Sequence, residues 1–154
     1  MRPILAGIIM ALCVNTIVAA AQDAIPPDQP ASEPYQPRIS DIMVLQQERH
    51  LKLWFAGRAG NWPLADYEVD ALKEGFETLN GMLGGSTVED AVGGPLAALE
   101  KAVDAKDRAA FTSAFDKLTA GCNSCHHTLD HAFISIRRPT RLPYSNQSFA
   151  VQKK

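Results

Sequence analysis

Two cysteines and a histidine near the carboxyl end of the chain are spaced so that they could do chemistry together. Cys122, Cys125 and His126 form a C-x-x-C-H motif within the sequence CNSCH. On a helix, this spacing places two thiols and one imidazole on the same face. The thiols can form thioethers with the two vinyl groups of haem, and the imidazole can ligate its iron. The motif therefore predicts one covalently bound haem c, held by these three residues.

Two other uses of these residues stay open at this point. A C-x-x-C pair in an exported protein can be a disulfide or a thioredoxin-like redox pair, which lies where a strand meets a helix. Cys122, Cys125, His127 and His131 also resemble a set of zinc ligands, although zinc fingers take their second ligand pair from a separate element. Both alternatives are disfavoured, because the chain has no strand pattern and the four zinc candidates share one predicted helix.

The amino-terminal residues predict export from the cytoplasm. Arg2 precedes an almost wholly apolar run from Ile4 to Ala20, and the small residues that end this run suit cleavage before Gln22. We therefore expect residues 1–21 to be a cleaved signal peptide. The apolar run is short for a membrane anchor, so no membrane span is expected after cleavage. A periplasmic location agrees with the motif, because cytochrome c maturation occurs outside the cytoplasm in bacteria.

The rest of the chain divides into a leader, a helical domain and a tail. Residues 22–38 contain five prolines and predict an extended leader. Residues 39–138 show no sustained alternation of apolar and polar residues, which favours helices over strands. Residues 139–154 predict an irregular tail, and we expect part of it, with Leu142, Tyr144 and Phe149, to pack back on the helices.

Cap signals and apolar spacing divide the helical domain into four helices. The predicted helices A, B, C and D cover about residues 40–59, 61–81, 95–105 and 107–136, and Asn61 is the predicted cap of helix B. Gly93 and Gly94 predict a break before helix C, which Pro95 would start. Short connections between four helices favour the all-α class and an antiparallel up-down four-helix bundle, with the haem attached to its C-terminal helix.

The position of the motif resembles that of one group of cytochromes. In ordinary small cytochromes c the motif comes early and a ligating methionine follows, whereas no methionine follows His126 here. The chain resembles the class II c-type cytochromes, the cytochrome c′ and cytochrome c-556 group, which are four-helix bundles with a C-terminal haem motif. The stretches HLKLWFAG (50–57) and PYSNQ (143–147) also resemble those of a group of uncharacterised proteobacterial cytochromes. The resemblance implies periplasmic electron transfer between donor and acceptor proteins, and a homodimer, although the tail departs from the cytochrome c′ pattern.

The residue opposite His126 decides what such a haem would do. If helices A and D are antiparallel, His126 lies level with about Asp41, whereas His50 lies about nine residues, or ~13 Å, further along the axis. Met43 is therefore the candidate distal ligand, as in class II members with a ligating methionine near the start of helix A. Alternatively, Met43 only packs over the haem, or His50 is the ligand. Two axial ligands predict an electron carrier, and an open position predicts a five-coordinate protein that binds nitric oxide or carbon monoxide.

Charge and motif content argue against several other functions. The 15 basic and 17 acidic residues give a formal charge of −2, without the basic field expected of a protein that binds nucleic acid. P-loop and G-x-G-x-x-G patterns are absent, and no catalytic arrangement can be recognised, so we do not expect an enzyme. Arg137 and Arg138 are expected to pair with haem propionates or to cap helix D.

Overall fold

The computed structural model describes residues 34–152, which form four α-helices and no strand. The helices are α1 (Ile39–Ala59), α2 (Trp62–Leu83), α3 (Thr87–Asp104) and α4 (Arg108–Thr128). The predicted all-α class and helix number are confirmed for this part of the chain. All four helices lie within one compact unit, Gln36–Lys154. The predicted signal peptide and most of the predicted leader lie outside the described residues.

The connection between α1 and α2 follows the local signals in the sequence. Gly60 ends α1 in a left-handed conformation with φ 73°, which glycine adopts without a steric penalty. The amide of Asn61 donates to the carbonyl of Ala56 at 2.9 Å, which completes a Schellman turn. The side chain of Asn61 then caps α2 by accepting from the amide of Leu64 at 3.4 Å. The predicted end of helix A at Ala59 and the predicted cap of helix B are both confirmed.

Helix α3 differs from the prediction because it continues through Gly93, Gly94 and Pro95 without a break. A separate helix C starting at Pro95 is therefore wrong. Proline has no amide proton, so the carbonyl of Ala91, four residues earlier, loses its helical donor. Gly121 of α4 lies directly against this carbonyl, and a Cβ atom on Gly121 would be 2.4 Å from the oxygen. Tertiary packing of this kind overrides the local break signals.

Helix α4 ends at Thr128, well before the predicted end of helix D at Ile136. Asp130 adopts a left-handed conformation with φ 60°, and the amide of His131 donates to the carbonyl of His126 at 2.7 Å. This is a second Schellman turn, with aspartate where glycine is usual. The predicted continuation of helix D is wrong, because this turn folds the following residues back along α4.

The core lies between the helices, and each helix contributes to it. Its largest fully buried side chains are Leu53, Val69, Leu72, Leu79, Val92, Leu99, Phe111, Phe115 and Leu118. Each such side chain stabilises the fold by about 1.5–3 kcal/mol relative to exposure. Among the described helices, none is both long enough and apolar enough to cross a membrane.

The tail packs against α1, as predicted for part of it. The ring of Phe149 is buried and meets Phe55 edge-on, with ring centroids 6.0 Å apart. Tyr144 lies under the ammonium group of Lys52, 5.4 Å from the ring centroid. Leu142 is exposed, so it does not belong to the part of the tail that packs.

Candidate functional site

The three residues of the C-x-x-C-H motif lie near the carboxyl end of α4 and line one cavity. Cys122 and Cys125 are both free thiols, and Cys125 is buried. Helical spacing brings the two sulfur atoms and the imidazole of His126 to the same side of α4. The structure therefore assembles two thiols and a potential metal ligand on one cavity wall.

The cavity has a volume of about 650 Å³ and is lined by side chains from all four helices. This volume falls within the roughly 300–1,000 Å³ of cofactor and small-molecule sites. Most of its lining side chains are apolar, among them Leu72, Phe76, Val92 and Leu118. Among the described residues, no lysine, arginine, aspartate or glutamate lines it. The cavity therefore suits a largely apolar group better than a charged ligand.

The hydrogen bond of His126 determines which of its nitrogen atoms can bind a metal. Its Nδ1 atom lies 3.0 Å from the carbonyl oxygen of Ile134. A carbonyl only accepts hydrogen bonds, so Nδ1 carries the proton and donates, and Nε2 keeps its lone pair. A backbone acceptor of this kind also fixes the orientation of a ligating imidazole and raises its basicity. His126 is thus arranged to bind a metal through Nε2.

The loop that supplies this carbonyl is attached to the motif itself. The Nδ2 atom of Asn123 donates to the carbonyl of Ile136 at 2.9 Å, and the amide of Ile136 donates to Oδ1 of Asn123 at 2.7 Å. Ile134 and Ile136 both line the cavity. Sequence reasoning missed Asn123, because the two middle positions of the motif carry no chemical signal and Ile136 was expected within helix D.

The environment of the two thiols does not match a redox-active dithiol. Burial raises the pKa of the Cys122 thiol to about 12, with a further contribution from Cys125. Burial also raises the pKa of Cys125. Redox-active pairs instead need a thiol whose pKa is lowered, because the thiolate is the nucleophile. Both cysteines also lie within a helix rather than where a strand meets one.

The zinc alternative is not assembled in the described part of the chain. No three histidine, cysteine, aspartate or glutamate side chains converge there as a metal-holding group. His127 is exposed on α4. His131 was expected on the same helix, which is wrong: it is the last residue of the Schellman turn that follows α4, in the cavity wall. Its Nδ1 atom lies 2.5 Å from the carbonyl of Leu129.

Both candidates for the distal ligand, His50 and Met43, line the cavity. His50 is held there by a hydrogen bond, whereas Met43 packs against apolar side chains. His50 is 5% exposed, and its Nε2 atom lies 2.8 Å from Oγ1 of Thr119. The Thr119 hydroxyl already donates to the carbonyl of Phe115 at 2.9 Å, so it accepts the proton of His50 Nε2. Only Nδ1 of His50 then has a free lone pair. Met43 packs against the hydrophobic core.

Arg138 lies away from the cavity wall. Its Nε atom donates to Oδ1 of Asp116 at 3.0 Å, and its guanidinium lies over Trp54, 4.7 Å from the ring centroid. The predicted cap on helix D is wrong for Arg138, since α4 ends at Thr128 and Arg138 pairs with the side of that helix instead. The expected pairing with haem propionates stays a prediction.

A haem group fits the residues of this site. The cavity is apolar and of cofactor size, two thiols lie on its wall, and the adjacent His126 presents a free Nε2 lone pair. Comparison with models of protein families, with curated proteins and with solved structures found no match for this chain. The chemistry of the site is therefore the basis for a functional conclusion.

Proposed function

We propose that this protein is a periplasmic mono-haem c-type cytochrome that transfers electrons, with haem c bound through Cys122, Cys125 and His126. One observation carries the proposal: these three side chains line a single apolar cavity, with His126 Nε2 free to ligate. Bound haem c would supply an iron that cycles between the ferrous and ferric states. The thiols tether the group, the imidazole ligates it, and the apolar wall keeps it away from bulk water.

The proposal includes an antiparallel up-down bundle in which α4 is the haem-attachment helix. Contacts between α1 and α4 support this arrangement. His50 meets Thr119, whereas Trp54, one turn later in α1, stacks on Phe111, which is two turns earlier in α4. Residue numbers therefore rise along α1 as they fall along α4, as in neighbouring helices of an up-down bundle.

Met43 is the proposed distal ligand. It lines the same cavity as His126, and its thioether packs among apolar side chains. His50 is less suitable, because Thr119 occupies its Nε2 atom and lies about seven residues, or ~10 Å along α4, before His126. Methionine is an ordinary axial ligand of haem, and it raises the reduction potential relative to a second histidine.

The surface of the site supports electron transfer to and from other proteins. Val44 and Ile134 line the cavity and are 65% and 42% exposed, so the cavity wall reaches the protein surface. A group held there would be close to a docked protein. The expected partners are periplasmic donor and acceptor proteins, and the homodimer implied by the cytochrome c′ resemblance remains part of the proposal.

A second candidate function is capture of nitric oxide or carbon monoxide by a five-coordinate haem. The apolar cavity wall favours it, because a small neutral gas needs no polar group to enter such a site. In this case Met43 would pack against the group without bonding its iron. The absorption spectrum separates the two functions, since a methionine-ligated ferric haem is low-spin and a five-coordinate one is high-spin.

The proposed function is tested by producing the full chain in a bacterium that has a cytochrome c maturation system. We expect the exported product to exceed its polypeptide mass by one haem and to give the pyridine haemochrome spectrum of a haem with two thioethers. Replacing both Cys122 and Cys125 by alanine should abolish attachment. Ser124→Ala, at an exposed position of the same motif, is the matched control and should keep it. A wild-type product with polypeptide mass alone would contradict the proposal.

A further inference from the structure

Asn123 occupies a variable position of the motif, yet its side chain makes two hydrogen bonds with a distant backbone. It donates from Nδ2 to the carbonyl of Ile136 and accepts at Oδ1 from the amide of the same residue. An amide side chain makes both of these bonds only if the backbone N–H and C=O of the same residue face it. The contact therefore fixes the orientation of the chain at Ile136 as well as its distance from α4.

The contact at Ile136 also constrains Ile134, two residues earlier, and Ile134 is hydrogen-bonded to His126. Ile134, whose carbonyl accepts from His126 Nδ1 at 3.0 Å, lies two positions before Ile136. The Schellman turn holds the chain as far as His131, and the amide of Ile134 donates back to the carbonyl of His131 at 2.9 Å. Beyond that bond, the contact with Asn123 is the next anchor of this loop to α4. Asn123 thus holds the far end of the segment that presents the Ile134 carbonyl.

We infer that Asn123 is a positioning residue that holds the 131–136 loop so that the Ile134 carbonyl fixes the His126 imidazole and tunes the reduction potential of the site. This inference rests on the proposed function. Asn123 acts through Ile134 and His126 and does not itself ligate. Ser124, the other variable residue of the motif, is exposed, and its side chain makes no such contact within residues 34–152, so the two middle positions are not equivalent.

The expected effect follows from what a hydrogen-bond acceptor does to an imidazole. When a carbonyl accepts a hydrogen bond from Nδ1–H, Nε2 becomes a stronger electron donor to the iron. This favours the ferric state over the ferrous state. Loss of the Asn123 contacts loosens the loop, weakens this hydrogen bond and should raise the reduction potential. An effect of about tenfold on the reduction equilibrium corresponds to about 59 mV for one electron.

The experiment compares haem-loaded wild type with Asn123→Ala, Asn123→Asp and the matched control Ser124→Ala. The reduction potential is measured by spectroelectrochemistry. Exchange of the His126 Nδ1 proton with solvent is measured by NMR on the ferrous carbon monoxide adduct. We expect Asn123→Ala to raise the potential and to accelerate exchange, and Ser124→Ala to change neither. Asn123→Asp keeps the acceptor for the Ile136 amide and loses the donor, so exchange should be intermediate.

The outcomes separate this inference from the function on which it rests. If wild type carries no haem, the proposed function fails and the inference falls with it. If wild type and Asn123→Ala both carry haem with equal potentials and equal exchange rates, the positioning role is overturned and the proposed function stands. If Asn123→Ala does not mature, the exchange measurement on Asn123→Asp decides: exchange at the wild-type rate overturns the role, and faster exchange supports it.

Discussion

His50 on α1 donates its Nε2 proton to the hydroxyl of Thr119 on α4, across a distance of 2.8 Å. This contact fixes the axial register of the two helices on either side of the cavity. Counting along antiparallel helices predicts His50 level with about Lys117, close to the observed partner. In the proposed antiparallel arrangement, the same register leaves Met43, two turns earlier in α1, nearer to the level of His126, on which its proposed ligation of iron depends.

Met43→Ala should convert the ferric haem from low-spin to high-spin while leaving it covalently attached. The substitution removes the proposed axial thioether but none of the residues that tether the group. Absorption spectra of the matured proteins measure the change, and mass spectrometry measures attachment. Met82→Ala is the control, because Met82 is 41% exposed and does not line the cavity. A low-spin spectrum that persists in Met43→Ala would reject Met43 as the ligand and favour His50.

The parts of the fold that follow from local chemistry could be predicted from the sequence. Gly60 and Asn61 mark the junction of α1 and α2 because one supplies a left-handed turn and the other a cap. Asp107 marks the start of α4, where it accepts from the amides of Ala109 and Ala110 at 2.9 and 3.0 Å. These signals involve only neighbouring residues, so a single sequence contains them.

The features that sequence reasoning missed depend on partners distant in the chain. Pro95 predicts a break in α3, but the carbonyl that it leaves without a donor packs against Gly121 of another helix. The end of α4 was missed because Asp130, rather than glycine, takes the left-handed position of the turn. The motif predicted that Cys122, Cys125 and His126 share one face. The hydrogen bonds of Asn123 could not be predicted in the same way, because they form only when the loop after α4 folds back.

Thr119→Val should destabilise the protein by about 1–3 kcal/mol, although valine has nearly the same shape. The substitution leaves the buried Nε2–H group of His50 without an acceptor, and an unpaired buried donor costs most of its desolvation energy. Thr112→Val is a close control: its hydroxyl makes the same bond to a carbonyl four residues earlier, at an exposed position. Denaturant unfolding measures the stability of both variants. Equal losses of stability in Thr119→Val and Thr112→Val would contradict the importance of the His50 contact.

His50 should also make stability depend on pH in a defined window. Burial lowers its pKa from 6.5 to about 4, so between these values the unfolded chain binds a proton that the folded protein does not. Stability should therefore rise as the pH increases from 4 to 6.5, by up to roughly 3 kcal/mol, and this contribution should be complete above pH 6.5. The free energy of unfolding is measured across this range for wild type and His50→Gln, with exposed His127→Gln as control. An equally steep rise in His50→Gln would assign the dependence to other groups.

Gly121→Ala should destabilise the protein and lower the yield of haem-loaded product. The new Cβ atom would lie 2.4 Å from the Ala91 carbonyl oxygen, a backbone atom that cannot rotate away, so α3 and α4 must separate. Overpacking of this kind costs about 1–3 kcal/mol, and Cys122, the next residue, would move with α4. Gly81→Ala is the matched control, because its Cβ atom would meet nothing within 4 Å, and it should stabilise α2 by about 0.5–1 kcal/mol. Thermal unfolding measures the stability of both variants, and haem content measures their loading. A Gly121→Ala protein as stable as wild type would mean that the close approach of α3 and α4 at this point is not required.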